Sequence, residues 1–112
     1  MENKVIVTPF FERKAKRLIK KFPSLYDELN ELNNILLKNP KTGIDYGNNV
    51  YKIKLASKSK NTGKSGGFRI ITYLIQETKT SIEVNLITIF DKSEESNITK
   101  EEILKIITKI FS

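Results

Sequence analysis

The chain has 112 residues, with 20 Lys and Arg against 13 Asp and Glu and a formal net charge of +7. That length supports one hydrophobic core and no second, and the cationic surplus suits a polyanionic partner. Neither Cys nor His occurs, which excludes disulfides, thiolate chemistry, the usual zinc sites and imidazole acid–base catalysis.

MENKVIVTPF holds too short an apolar run for a signal peptide, and no uninterrupted apolar segment approaches the roughly 20 residues of a membrane span, so a cytoplasmic protein is expected. Lys4 to Val7 reads as a short edge or opening strand. Thr8-Pro9 supplies an N-cap and a proline at the first helical position. The helix that follows carries Phe11, Ala15, Leu18, Ile19 and Phe22 on one face. Its other face holds Arg13, Lys14, Lys16, Arg17, Lys20 and Lys21, either as a solvated surface or as an auxiliary hold on a polyanion or acidic partner. Ser24 and Asp27 have the spacing of a capping box for a second helix, striped by Leu25, Leu29, Leu32 and Leu36 and ending at Asn39-Pro40. These two helices form a hairpin that must bury its apolar side on the sheet that follows.

Lys41 to Asn49 reads as loop. From Val50 the alternation is clear: Tyr51, Ile53 and Leu55 face one way, and Lys52 and Lys54 the other, their ammonium groups roughly 7 Å apart along the strand. The basic, glycine-bearing stretch Ser57 to Gly67 cannot be apolar core and is expected to be mobile when nothing is bound. Phe68 to Gln76 and Ile82 to Phe90 form a largely buried hairpin, with Arg69 at the start of its first strand. After Asp91-Lys92-Ser93 leaves the sheet, Thr99 and Glu102 cap a last helix. The order β-α-α-β-β-β-α predicts a single α+β domain over residues 1–112, with the helical hairpin on a mainly antiparallel four-stranded sheet.

Between Asp45 and Glu77 every charged side chain is positive. Gly63-Lys64-Ser65 resembles the end of a phosphate-binding P-loop, but Lys58 stands where that pattern requires glycine and the segment runs from strand to strand, so nucleotide triphosphatase chemistry is excluded. Lys52, Lys54, Lys58, Lys60, Lys64 and Arg69 instead suit a phosphodiester, which the N–H groups of Gly63, Gly66 and Gly67 can approach closely. An RNA strand brings its own nucleophile, the 2′-OH. Fixed cations can stabilise the pentavalent phosphate, and a lysine crowded by other cations has a lowered pKa and can share in proton transfer. Arg69, Lys92 and Tyr73 are candidates to serve the leaving 5′-oxygen, Tyr73 being equally suited to core packing or base stacking. Substituting Lys54 or Arg69 is expected to remove activity and leave the fold intact.

YKIKL at 51 to 55, SKSKNTGKSGGFRIITY at 57 to 73 and TIFDKSE at 88 to 94 closely resemble the RelE/HigB-like toxins of bacterial type II toxin–antitoxin modules, in the RelE/ParE superfamily. The resemblance extends to the helical hairpin, the turn from Asn39 to Gly43 and the terminal helix. It implies a mRNA endoribonuclease acting in the ribosomal A site without a metal or other cofactor. A cognate antitoxin, read here as a small helix-turn-helix protein, would block the basic face. The family's catalytic and phosphate-binding positions fall on Lys52, Lys54, Arg69 and Lys92, with Lys58, Lys60, Lys64, Tyr73 and Phe90 left to hold flanking RNA. Phe90 stands where tyrosine is common, so it can stack on a base but donates no proton. Ser93 replaces a second arginine found in some members. Two other readings remain: a ParE-like gyrase inhibitor, whose relatives generally lack the paired strand lysines, and a basic nucleic-acid-binding domain without catalysis.

Overall fold

The computed structural model describes residues 2–112. Strand β1 (Lys4–Val7) leads into helices α1 (Pro9–Lys21) and α2 (Leu25–Lys38), then strands β2 (Ile44–Asp45), β3 (Val50–Leu55), β4 (Phe68–Gln76) and β5 (Ile82–Asp91), a 3-10 turn over Lys92–Asn97, and helix α3 (Lys100–Phe111). The sheet order is β1-β5-β4-β3-β2, with β1 parallel to β5 and the remaining pairs antiparallel.

Thr8 joins the first helix to the sheet. Its hydroxyl oxygen accepts from the Phe11 amide at 3.2 Å and its O–H donates to the Leu86 carbonyl at 2.7 Å, so one side chain caps α1 and fixes it beside β5. α1 and α2 cover one sheet face. Phe11, Ala15, Leu25, Leu32 and Leu36 meet Tyr51, Ile53, Phe68, Ile70 and Ile89 there. On the opposite face α3 packs Ile103 and Ile107 against Val50, Ile71, Ile87 and Phe90. Each of those isoleucines is worth about 1.5–3 kcal/mol on burial, whereas the 3-10 turn buries no side chain. α3 is therefore anchored by apolar burial and the turn before it is not.

Two local readings need correction. The sheet has five strands rather than four, because Ile44 and Asp45 pair with Lys52 and Tyr51 inside what reads as loop. Gly43 permits this: at φ +105° it lies so close to β3 that a Cβ would stand 2.6 Å from the Lys52 carbonyl oxygen. Ser24 does not form a capping box, since its own backbone is helical and its side chain caps nothing. It donates instead to Glu28 at 3.2 Å and accepts from the Ser59 amide at 2.8 Å, tying α2 to the basic loop. Thr99 does cap α3, accepting from the Glu102 amide at 3.1 Å.

Candidate functional site

The register of the three central strands gathers the cations. Lys54 lies opposite Arg69, which lies opposite Phe90; Lys52 lies opposite Ile71. Side chains directly opposite across strands share a face, so Lys52, Lys54 and Arg69 stand on the α3 side of the sheet. α3 itself covers the other half, around Val50 and Ile71. The turn packed on β4 and β5 supplies the nearest cover to the Lys54–Arg69 row.

That turn brings a carboxylate the local sequence does not show. Glu95 Oε2 accepts from Lys52 Nζ, and Glu95 Oε1 accepts from Arg69 Nε at 3.2 Å. Burial on its own would lower the Lys52 pKa, but the hydrogen bonds and charges of Glu95 and Tyr46 outweigh it and raise the pKa above the ordinary lysine value. Lys52 is thus held more firmly protonated, the reverse of the lowered pKa expected from crowding by cations: the neighbour that matters is an anion. The Lys52 hydrogen bond, then the charges of Lys52 and Arg69, hold Glu95 below the usual carboxylate range against burial.

Arg69 is 2% exposed. Beyond Glu95, its Nη1 donates to the Lys64 and Phe68 carbonyls at 2.9 and 3.2 Å, and its Nη2 to the Ser65 carbonyl at 3.1 Å. The guanidinium therefore organises the glycine loop from beneath. Other ties hold the same loop. Ser57 and Thr62 exchange backbone hydrogen bonds, the Lys58 amide donates to Glu28 at 2.8 Å, and Lys60 Nζ reaches Asp91 at 2.7 Å and the Gly67 carbonyl at 3.3 Å. The Lys60 ammonium also sits 5.2 Å from the centre of the Phe68 ring. A segment expected to be mobile is thus fastened to α2, β4 and the end of β5. Gly67 is absolute in this arrangement, because a Cβ there would lie 1.9 Å from the Leu55 carbonyl oxygen. Its missing side chain serves strand contact rather than phosphate approach, and the Gly66 amide is occupied by the Gly63 carbonyl.

The remaining positions divide clearly. Lys54, Lys58, Lys64 and Lys92 are exposed and form no ion pair among the described residues. Lys54, Lys58 and Lys64 line a groove of about 280 Å³ whose other wall is α2, with Glu28, Leu32 and Ile35. Lys60 turns inward to Asp91. Phe90, 3% exposed, belongs to the core and offers no free ring face for a base. Tyr73 lies about 13 Å further along β4 from Arg69, at roughly 3.3 Å per residue, and packs on Phe111 with ring centres 5.3 Å apart. Asp91 and Glu95 are the residues the sequence reading missed; their signal was the acidic residues at and just beyond the end of β5, the strand whose Phe90 lies opposite Arg69.

The carboxylates give the fold an acid limb with a defined sign. Asp91, like Glu95, has a lowered pKa; burial opposes this, but Lys60 and the Ser93 amide outweigh it. Their contribution to stability is complete above the unfolded values of about 3.9 and 4.3 and is lost as pH falls through the lower folded values. Lys52 has the opposite sign, with its contribution complete below about 10.4 and lost as pH rises through its raised folded value. In thermal melts across pH, Asp91→Asn and Glu95→Gln should each flatten the decline below about pH 4; an acid limb unchanged in both variants would contradict these pairings.

A mixed five-stranded sheet with a helical hairpin on one face and a helix on the other makes an α+β structure with a RelE-like fold. No family model matches the chain and no curated protein matches its sequence. Among solved structures it is similar to an arginine-substituted mutant of the E. coli toxin RelE in the free state, at 21% identity and a TM-score of 0.55, covering 98% of this chain and 99% of that one. The likeness is one of fold over essentially the whole chain. No helix among the described residues is long and apolar enough to cross a membrane.

Proposed function

We propose that this chain is the toxin of a type II toxin–antitoxin module, an endoribonuclease that cleaves mRNA on the ribosome. The observation that carries this reading is the placement of Lys54 directly opposite Arg69, with Lys52 on the same face, in a RelE-like fold. Three cations on rigid strands suit a charge that develops on a phosphate, because they need little reorganisation as it forms. The RNA 2′-OH gives up its proton to solvent and attacks the adjacent phosphorus, the P–O5′ bond breaks, the leaving 5′-oxygen takes up a proton from solvent, and a 2′,3′-cyclic phosphate remains. Lys54 has a free ammonium for a non-bridging oxygen. Lys52, kept protonated, acts as a fixed cation. Arg69 contributes charge and its Nε–H, with three of the four N–H groups on its terminal nitrogens committed to backbone carbonyls. Lys58 and Lys64 hold flanking RNA along the groove beside α2, and Lys92 supports the far side. A cognate antitoxin, a small helix-turn-helix protein with an acidic segment, restrains the activity by covering this row.

Mapping RNA 5′ ends by primer extension after inducing the protein, alongside a DNA supercoiling assay, tests the reading. New cuts within translated mRNA and unchanged supercoiling are expected. Altered supercoiling with intact mRNA would replace it with gyrase inhibition, and RNA affinity without fragments would replace it with simple binding.

A further inference from the structure

We propose that Glu95 is a built-in occupant of the phosphate seat: its carboxylate stands where the scissile phosphodiester binds, and RNA takes the site by exchanging with it as the Glu95 side chain swings out of the seat. The inference rests on the functional reading above and adds the state of the site before substrate arrives.

The two carboxylate oxygens are divided between the two cations, Oε2 on Lys52 and Oε1 on Arg69. A phosphodiester likewise has two non-bridging oxygens and one negative charge, so exchange leaves the charge balance of the site unchanged. Both Nη1 N–H groups of Arg69 go to the Lys64 and Phe68 carbonyls and one Nη2 N–H goes to the Ser65 carbonyl, so the guanidinium meets Glu95 through its Nε–H with one Nη2 N–H uncommitted. A phosphate seated here competes with Glu95 for the Lys52 ammonium and the Arg69 Nε–H. Lys52 and Glu95 side chains are 14% and 27% exposed, so solvent reaches the pair at its rim while screening it less than a surface pair.

The turn is fixed at its two ends and held between them through Glu95. The Lys92 amide donates to the Gly67 carbonyl at 3.0 Å and the Asp91 carboxylate accepts from the Ser93 amide at 3.0 Å at one end, the Ile98 amide returns to the Glu95 carbonyl at 3.2 Å at the other, and the residues between bury no side chain. Ile98 packs with the α3 cluster, so α3 can stay docked while the Glu95 side chain swings. A role as proton acceptor fits less well, because the two cations that hold Glu95 also keep it a weak base.

The test compares wild type, Glu95→Gln, Lys52→Ala and the double variant as full chains. Glutamine keeps an acceptor for Arg69 but removes the charge, and Glu94→Gln, an exposed neighbour on the same turn, controls for net charge. Binding is read with a 2′-O-methyl RNA oligonucleotide by fluorescence anisotropy, and with inorganic phosphate by the NMR shift of the Arg69 Nε–H. Glu95→Gln should bind both probes roughly tenfold more tightly than wild type, Glu94→Gln should match wild type, and the gain should vanish when Lys52 is also alanine. Equal or weaker binding of both probes by Glu95→Gln, or a gain that survives Lys52→Ala, would overturn the proposal. Cleavage of mRNA by wild type with no gain in Glu95→Gln refutes the exchange alone. Tighter phosphate binding in a protein that cuts no RNA refutes the function and leaves the exchange standing.

Discussion

Arg69→Ala is expected to lower stability by about 3–5 kcal/mol, the usual consequence of breaking a buried charged network. The guanidinium is 2% exposed and donates to the loop carbonyls of Lys64 and Ser65, to the Phe68 carbonyl and to Glu95. Alanine leaves the Lys64 and Ser65 carbonyls without this donor and Glu95 without one of its two cations. Denaturant unfolding should show a lower midpoint, and hydrogen exchange should speed up through residues 57–67, where the loop loses its inner tie. Arg69→Lys should recover little, because one ammonium cannot span the same carbonyls. Lost RNA cleavage in Arg69→Ala is therefore uninformative about chemistry, contrary to the expectation from sequence that the variant would fold normally. A stability within about 0.5 kcal/mol of wild type would show that the buried network is not what holds the loop.

Lys54→Ala should behave in the opposite way. Its side chain is exposed and joins no ion pair among the described residues, so unfolding should stay within about 0.5 kcal/mol of wild type. RNA cleavage should fall on the order of 10²–10³-fold, the scale for removing one preorganised stabilising group from a developing anion. Salt dependence should also ease, by a slope of roughly 0.7 if one single-strand phosphate contact is removed. Unchanged cleavage in a folded Lys54→Ala protein would remove the residue from the site.

Local rules carried the parts of the fold governed by local rules. The period of two in Val50 to Leu55 placed Lys52 and Lys54 on one face, and the register puts Lys54 opposite Arg69. Thr8-Pro9 and Thr99 marked helix starts because capping is a property of three or four adjacent residues. Ser24 had the same pattern and failed, because its hydroxyl found Glu28 and Ser59 instead. The candidate site was legible as a set of cations and not as a balance of charge. Its counter-ions arrive from outside the basic stretch, Glu95 reaching Lys52 across 43 residues and Asp91 reaching Lys60 across 31. The Asp91 pairing converts one candidate RNA contact, Lys60, into an internal tie, and the Glu95 pairing gives Lys52 a resident counter-ion. They also explain why a loop of lysines and glycines is fastened down, while Arg69, read from the sequence as a phosphate contact, lies under it.

The decisive measurement is cleavage of a defined mRNA in a purified translation system, with and without ribosomes, by wild type and by folded Lys54→Ala protein. Cuts that appear with wild type, require ribosomes and fade in Lys54→Ala are expected. An mRNA that stays intact with wild-type protein on translating ribosomes, or is cut equally by both proteins, would contradict the reading of this row of cations as a ribosome-dependent ribonuclease site.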